Sequence, residues 1–482
     1  MVRFTRKVAV GLVAALALLG TGTLFVTGYQ SYESLYDARY VGSAKCGECH
    51  TVSHEDWKHS PHANMVRAPT PESVVGDFDD HEWFLPVEHR RSARDHQAIA
   101  RMRRAAGRYY IEFRDPRTWN FVPFEIAYVV GYQYRQAYVH LEPGGVYRRL
   151  PLQWSTSRNE FFPYWNFQEQ SVPSAEDFWL QIFSYTKNSS WNTFCARCHT
   201  TKLEVLERDA QATTAKTRWV EPGIGCEACH GPGSHHVDYF ATNYVNRIAA
   251  FVRSKVRGEP AAYIVNPRKL TKGQEVSVCA RCHGPDINMD DTDVYRDYEP
   301  GHSREGRIND LSPYLKSVPI TPGRTAPTIE VWEDGRPKGL AMLLRSFIES
   351  KCFNEAHVRC YDCHDPHANK SSKEPGILVA GPASDRYCMG CHKEFRGKIK
   401  EHTKHEPGRP GSFCYDCHMP KLLMNIVSGE TKWTRTHWMS TIPSPENSVR
   451  FGPKGAKNAC NDCHSDQSAQ WAADWKAKWW PK

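Results

Sequence analysis

The sequence predicts a mainly α-helical and irregular fold organised around a repeated Cys/His pentapeptide, with a small antiparallel β insertion. Three observations carry this expectation. Cys-x-x-Cys-His occurs eight times and uses 16 of the 17 cysteines. The first copy stands alone at 46–50, and the other seven follow between 195 and 464 at intervals of 26 to 81 residues. The long gap between the first and second copies is rich in Tyr, Val, Phe and Ile, as in FVPFEIAYVVGYQYRQAYVHLEPGGVYRRLPLQWS.

The N-terminus comes first in chain order. Arg3, Arg6 and Lys7 precede Val8 to Tyr29, 22 largely apolar residues without a charge. That length suits a membrane-spanning helix better than a short signal-peptide core, and the basic flank sets the start in the cytoplasm. Residues 1–32 are therefore expected to be an uncleaved anchor, with a cleaved signal as the alternative. Either one delivers the body across the membrane. Residues 33–77 form the first pentapeptide segment, 78–157 the β-rich insertion and 158–482 a seven-motif domain. Within the insertion, YVHL-EPGG-VYRRL reads as two strands joined by a Gly-rich turn. A docking or gating surface and a plain stabilising insertion are both compatible with that unit. Helices are expected at 174–190, 236–254, 338–351 and in the tail, where Trp471, Trp475 and Trp479 recur at helical spacing. Packing inside the molecule explains that stripe more simply than a membrane-surface or partner contact.

A Cys-x-x-Cys pair can hold zinc, form a redox disulfide or, with His directly following, anchor a c-type haem. Structural zinc wants four ligands, and a redox dithiol needs no His. Only the haem reading uses all three residues: two thiols make thioethers to the porphyrin, and the imidazole ligates iron. Here His follows every pair. The thioether cysteines are Cys46, Cys49, Cys195, Cys198, Cys226, Cys229, Cys279, Cys282, Cys360, Cys363, Cys388, Cys391, Cys414, Cys417, Cys460 and Cys463. The proximal histidines are His50, His199, His230, His283, His364, His392, His418 and His464. The expected cofactors are eight covalently bound c-type haems, which makes the fold class a mainly α/irregular multihaem cytochrome c fold around stacked haems. Gly 32 and Pro 31 fit a loop-rich chain whose porphyrins supply apolar core.

The formal charge of +8 does not indicate nucleic-acid binding. Two propionates per haem bring the holoprotein to about 0 oxidised and about −8 reduced. The basic side chains then serve as propionate partners.

The second axial position separates an electron carrier from a catalyst. A strong sixth ligand gives a low-spin carrier, whereas an open face admits substrate. Fifteen of the 23 histidines lie outside the motifs. Local context raises His62 in WKHSPHANM, His235 and His236 after CHGPG, His367 in CHDPH, His402 and His405 in HTKH, and His437 in TRTHWMSTIP. His235, His236 and His367 lie too close to their own motifs to reach the far face of those haems, and His402 and His405 share one helical face able to serve two haems, so exchange between neighbouring segments is expected. Met419 follows its own motif and cannot swing to the opposite face.

At CEACHGPGSHH, CHDPH, the CYDCHMP segment and NACNDCH, the chain resembles the multihaem cytochromes c related to the tetrahaem cytochrome of ammonia oxidisers, hydroxylamine oxidoreductase and pentahaem nitrite reductase. An octahaem group is the most similar pattern, over about 40 to 470. The resemblance implies distal ligation by His62, His236, His367, His402, His405 and His437. Two departures count against known catalytic versions: no motif ends in Lys, and no Tyr follows Tyr415. Cys352, the odd thiol, is either a soft ligand or an inert buried residue.

Two functions follow. The first is a membrane-anchored or periplasmic electron carrier, with membrane or periplasmic redox partners and no nucleic acid. The second is an oxidoreductase acting on a small nitrogen or sulfur oxyanion at one open haem; its catalytic residues are not legible in the sequence.

Overall fold

The structure is a computed structural model. It describes residues 2–27, 37–131, 134–163, 174–183, 190–192, 195–208, 215–258, 262–284, 331–338, 343–367, 385–423, 434–439 and 442–481, together with 300, 310 and 311.

The β-rich part is larger than the sequence suggests. One antiparallel sheet has eight strands: β1 (Val66–Arg67), β2 (His81–Trp83), β3 (Ala100–Ala105), β4 (Arg108–Arg114), β5 (Phe121–Val130), β6 (Arg135–Leu141), β7 (Tyr147–Ser155) and β8 (Glu160–Pro163). The order is β2-β3-β4-β5-β6-β7-β8, with β1 added to β5. A small insertion over 78–157 is corrected to a sheet that begins at Val66 and ends at Pro163. The outlying strands are two to four residues long and too short to show alternation. The β3–β4 turn has Ala106 and Gly107 at φ 49° and 75°, the conformation of a tight two-residue hairpin. The β6–β7 hairpin turns at Gly144 and Gly145, both at positive φ, with Leu141 opposite Tyr147. Register shifts between Ile126 and Tyr128 and between Ala137 and Val139 bend the sheet.

The two faces of the sheet do different work. On one face, Phe113, Phe124, Ile126, Tyr138, Leu150, Leu152 and Trp154 bury against Phe178 and Ile182 of the helix Ala175–Phe183. On the other, Val66, Tyr128, Val139 and Tyr147 pack with Trp191, Trp219, Ala196 and Cys195. Burying about 25 cal/mol per Å² of apolar surface makes the first face the main core and the second a seat for motif two.

The helices are short. The expected 174–190 helix is Ala175–Phe183 among the described residues, and 338–351 is Leu343–Ile348. The expected 236–254 helix is Ser234–Thr242 followed by Tyr244–Val252, with a break at Asn243, whose side chain accepts from Val245 N–H and caps the second helix. The tail forms Ala469–Trp479, capped by Ser468.

The apolar N-terminal stretch lies on the helix α1 (Val2–Thr27). The membrane-spanning expectation is not carried forward: among the described residues, no helix is long and apolar enough to cross a membrane.

Candidate haem-binding site

None of the seventeen cysteines is paired in a disulfide, so no disulfide framework competes for the motif residues. Each motif sits on or beside a turn of helix, such as Ser43–Gly47, Cys226–His230, Cys360–Cys363, Cys414–His418 and Ala459–Cys463. One turn brings the two thiols to the same side and carries the following His past them.

Six motif histidines face a second imidazole. His50 lies opposite His236 with ring centres 6.2 Å apart, His283 opposite His62 at 6.2 Å, and His230 opposite His367 at 6.0 Å. His364 lies opposite His437 at 6.2 Å, His418 opposite His402 at 6.4 Å, and His464 opposite His405 at 6.3 Å. The gap has a chemical meaning. Two metal–nitrogen bonds of about 2.0 Å, each extended by roughly 1.1 Å to the ring centre, separate two imidazoles by about 6.2 Å across one ion. The residues therefore fit an iron held between the rings.

The outer nitrogens are already committed. Nδ1 of His230 pairs with the Val265 carbonyl at 2.7 Å, His236 with Ala262 at 2.7 Å, His405 with Thr403 at 2.7 Å and His418 with Met439 at 3.2 Å. As N–H donors to these carbonyls, they leave the Nε2 lone pairs free to ligate. Burial also pushes the imidazoles of His283 and His437 down to about 4, so they are neutral at pH 7 and able to bind a cation.

Every facing pair joins two motif segments. His236 follows motif three but faces motif one. His62 follows motif one but faces motif four. His367 follows motif five but faces motif three, and His437 follows motif seven but faces motif five. His402 and His405, three residues apart near the C-terminal end of Ile399–Thr403, face motifs seven and eight.

Motifs two and six differ. Among the described residues, no imidazole faces His199 or His392. His199 is half-buried, its Nδ1 has no hydrogen-bond partner among the described residues, and desolvation and the neighbouring Arg135 push it down to about 4. His392 is exposed and lies 6.3 Å from the Phe395 ring. His302 lies outside the described residues.

The thiols give the neighbour order of the motifs, which does not follow the chain. Cys46 of motif one contacts Cys226 of motif three. Cys229 of motif three faces Cys279 and Cys282 of motif four. Cys279 contacts Cys360 of motif five, and Cys363 of motif five faces Cys388 of motif six. Cys388 contacts Cys414 of motif seven, and Cys417 faces Cys460 and Cys463 of motif eight. Motif two joins from the side, through Cys198 against Cys282 of motif four. Neighbouring motifs thus form one connected array with a single branch at motif four.

Carboxylates from one motif hold the backbone of the next, a role not anticipated from the sequence. Glu227 accepts from the N–H groups of Val41, Gly42 and Gly233 at 2.7 to 3.0 Å. Ser43 Oγ donates to Glu221 at 2.6 Å and accepts from Cys226 N–H at 2.9 Å. Asp385 accepts from Cys414 N–H at 2.9 Å. The visible signal for Glu227 was the acid inside CEACH, whereas Glu221 and Asp385 lie outside the pentapeptides.

Two remaining expectations resolve locally. Trp471 lies 5.1 Å from His464 and Trp479 lies 6.4 Å from His405, so the tail helix packs against the eighth imidazole pair. Cys352 lies beside Cys388 and Cys391, and burial pushes its thiol up, away from a reactive thiolate.

Two families match parts of the chain. Residues 169–231 match the family described as cytochrome c554 and c-prime, and residues 353–397 match a doubled CXXCH motif. The chain is 21% identical over 447 residues to the dissimilatory sulfite reductase MccA of Wolinella succinogenes, covering 80% of this chain and 51% of that one. It is 24% identical over 213 residues to the multiheme cytochrome MtrA of Shewanella baltica, covering 43% and 55%. The chain thus spans about half the length of these two relatives. Among solved structures, the outer cell wall cytochrome OcwA aligns with a TM-score of 0.52 at 18% identity, covering 91% of this chain and 86% of that one. With the Cys-x-x-Cys-His motifs, these matches show covalently bound c-type haem with iron as the cofactor.

Proposed function

The chain is a multihaem c-type cytochrome, and from that premise we propose that it carries electrons between redox partners through eight haems outside the cytoplasm, where c-type haems are attached. Bound haem iron exchanges one electron per site between its ferric and ferrous states. The protein's part is to hold, order and tune those sites. In this reading the sixteen motif cysteines carry the thioethers and the eight motif histidines are proximal ligands. His62, His236, His367, His402, His405 and His437 are the distal ligands. The observation that carries the proposal is the set of six facing imidazole pairs, 6.0 to 6.4 Å apart, in one connected series of motifs. Six-coordinate iron favours electron transfer over substrate binding. The β-unit serves as the seat of motif two. A spectroelectrochemical titration of the holoprotein, without added substrate, tests this. The whole c-type absorbance should reduce and reoxidise reversibly. A persistent fraction of isolated, unreducible haem would count against a continuous carrier.

One observation favours a second reading at motif two. His199 is half-buried with no imidazole opposite among the described residues, Arg135 lies beside it, and Arg149 lies beside Cys195. A cationic, water-poor face suits a small oxyanion, and the relative named a sulfite reductase has that kind of substrate. Added sulfite or nitrite should then perturb a high-spin signal equal to one haem. No spectral change at saturating anion would reject this reading.

A further inference from the structure

The helix Tyr244–Val252 and its continuation Arg253–Arg257 are amphipathic in the wrong sense for a protein surface. The residues turned inward are small or polar: Asn246 and Ala249 are buried, and Asn246 donates to the Tyr239 carbonyl at 2.7 Å. The apolar residues face outward. Tyr244 is 72% exposed, Ile248 48%, Phe251 64%, Val252 44% and Val256 77%. Their spacing of four, three, one and four residues makes a single stripe along the helix. Contiguous exposed apolar stripes of this kind mark interaction surfaces.

The charges beside the stripe identify the partner. Arg247 and Lys255 are exposed on the same side, and no acidic residue occurs between Asp238 and Glu259. A second copy would set these cations against their own kind. An anionic lipid surface takes both features together: apolar side chains enter the acyl boundary while Arg and Lys meet headgroup charge. The stripe also continues into a second apolar surface. The helix α1 packs against Tyr244–Val252, and its side chains from Val8 to Gly20 are exposed and uncharged.

We infer that the Tyr244–Arg257 stripe docks the protein on the surface of an anionic bilayer, lying in the interface rather than crossing it. This inference does not depend on the electron-carrier reading.

Sedimentation of the full-length holoprotein with vesicles tests it, comparing phosphatidylglycerol–phosphatidylcholine vesicles with phosphatidylcholine alone. Two variants are needed, because α1 is present in every sample. Ile248→Glu with Phe251→Glu removes the apolar stripe at exposed positions. Arg247→Gln with Lys255→Gln removes two cations, each worth roughly fivefold near an anionic surface. The first variant should lower partitioning at least tenfold on both vesicle types. The second should lower it by roughly 25-fold on anionic vesicles and leave phosphatidylcholine unchanged. Unchanged haem absorbance shows that each variant is folded. Equal binding by wild type and both variants would assign any lipid affinity to α1 and overturn the inference. So would a wild-type dimer, seen by light scattering, that dissociates in the first variant without any vesicle binding.

Discussion

Removing the Glu227 side chain should loosen the first motif from the rest of the array, and the size of the effect follows from its bonds. Glu227 is 1% exposed and accepts from three backbone N–H groups: Val41 at 2.9 and 3.0 Å, Gly42 at 2.8 Å and Gly233 at 2.7 Å. Glu227→Ala strands all three donors. A buried, unsatisfied N–H costs about 1–3 kcal/mol. Gly233 is buried and bears the full penalty, whereas Val41 and Gly42 are half-buried and partly recovered by water. The expected loss is therefore about 2–4 kcal/mol. Glu227→Gln keeps one acceptor oxygen and should lose about half as much. Denaturant unfolding of the holoprotein, followed by far-UV circular dichroism, measures both. Because Val41 and Gly42 lead directly into Ser43–Gly47, the Ala variant should also expose the first motif to proteolysis before global unfolding. A loss below about 0.5 kcal/mol for Glu227→Ala would refute the claim that this carboxylate joins the two segments.

Three further outcomes follow. A Cβ at Gly76 would clash with the buried Tyr138 hydroxyl, which has no hydrogen-bond partner among the described residues. Gly76→Ala should cost about 1–3 kcal/mol in thermal or denaturant unfolding and much less in a Tyr138→Phe background, while Tyr138→Phe alone should be neutral or stabilising. Burial pushes the Glu275 carboxyl from its ordinary 4.5 up to about 7, only partly opposed by Arg359. A raised folded value means its stabilising contribution is complete below about pH 4.5 and lost as pH rises through 7. Glu275→Gln should therefore gain about 2 kcal/mol relative to wild type between pH 5 and pH 8, and a pH-independent difference would contradict the shift. His405→Ala should convert one haem from low to high spin, read by electron paramagnetic resonance. His140→Ala should not, because His140 lies on β6 with its ring against Phe124 and faces no motif histidine among the described residues.

The motif residues were legible because thioether and axial chemistry fix two cysteines and a histidine at set spacing within five positions. Among the histidines chosen from their surroundings, His62, His236, His367, His402, His405 and His437 face motif histidines. Which motif each one faces was not legible. Those pairings are set by packing between distant segments, such as Val41 and Gly42 on Glu227, and local spacing carries no trace of them. The branch at motif four was hidden for the same reason, since Cys198 and Cys282 meet only through the fold. In the sheet, the Gly-rich β6–β7 hairpin announced itself through turn chemistry. β1 and β8 did not, because strands of two and four residues show no period. The 236–254 segment read as helical, but its outward apolar face could not be read from periodicity. A period reveals that a helix has a face, not which way that face points.

The central claim is that facing imidazoles hold haem iron in six of the sites. Near-infrared magnetic circular dichroism of the oxidised holoprotein, integrated against total haem by pyridine haemochrome assay, tests it most directly. Bis-imidazole, low-spin intensity should equal at least six haems, with any high-spin intensity confined to the haems of His199 and His392. Bis-imidazole intensity below six haems would contradict it.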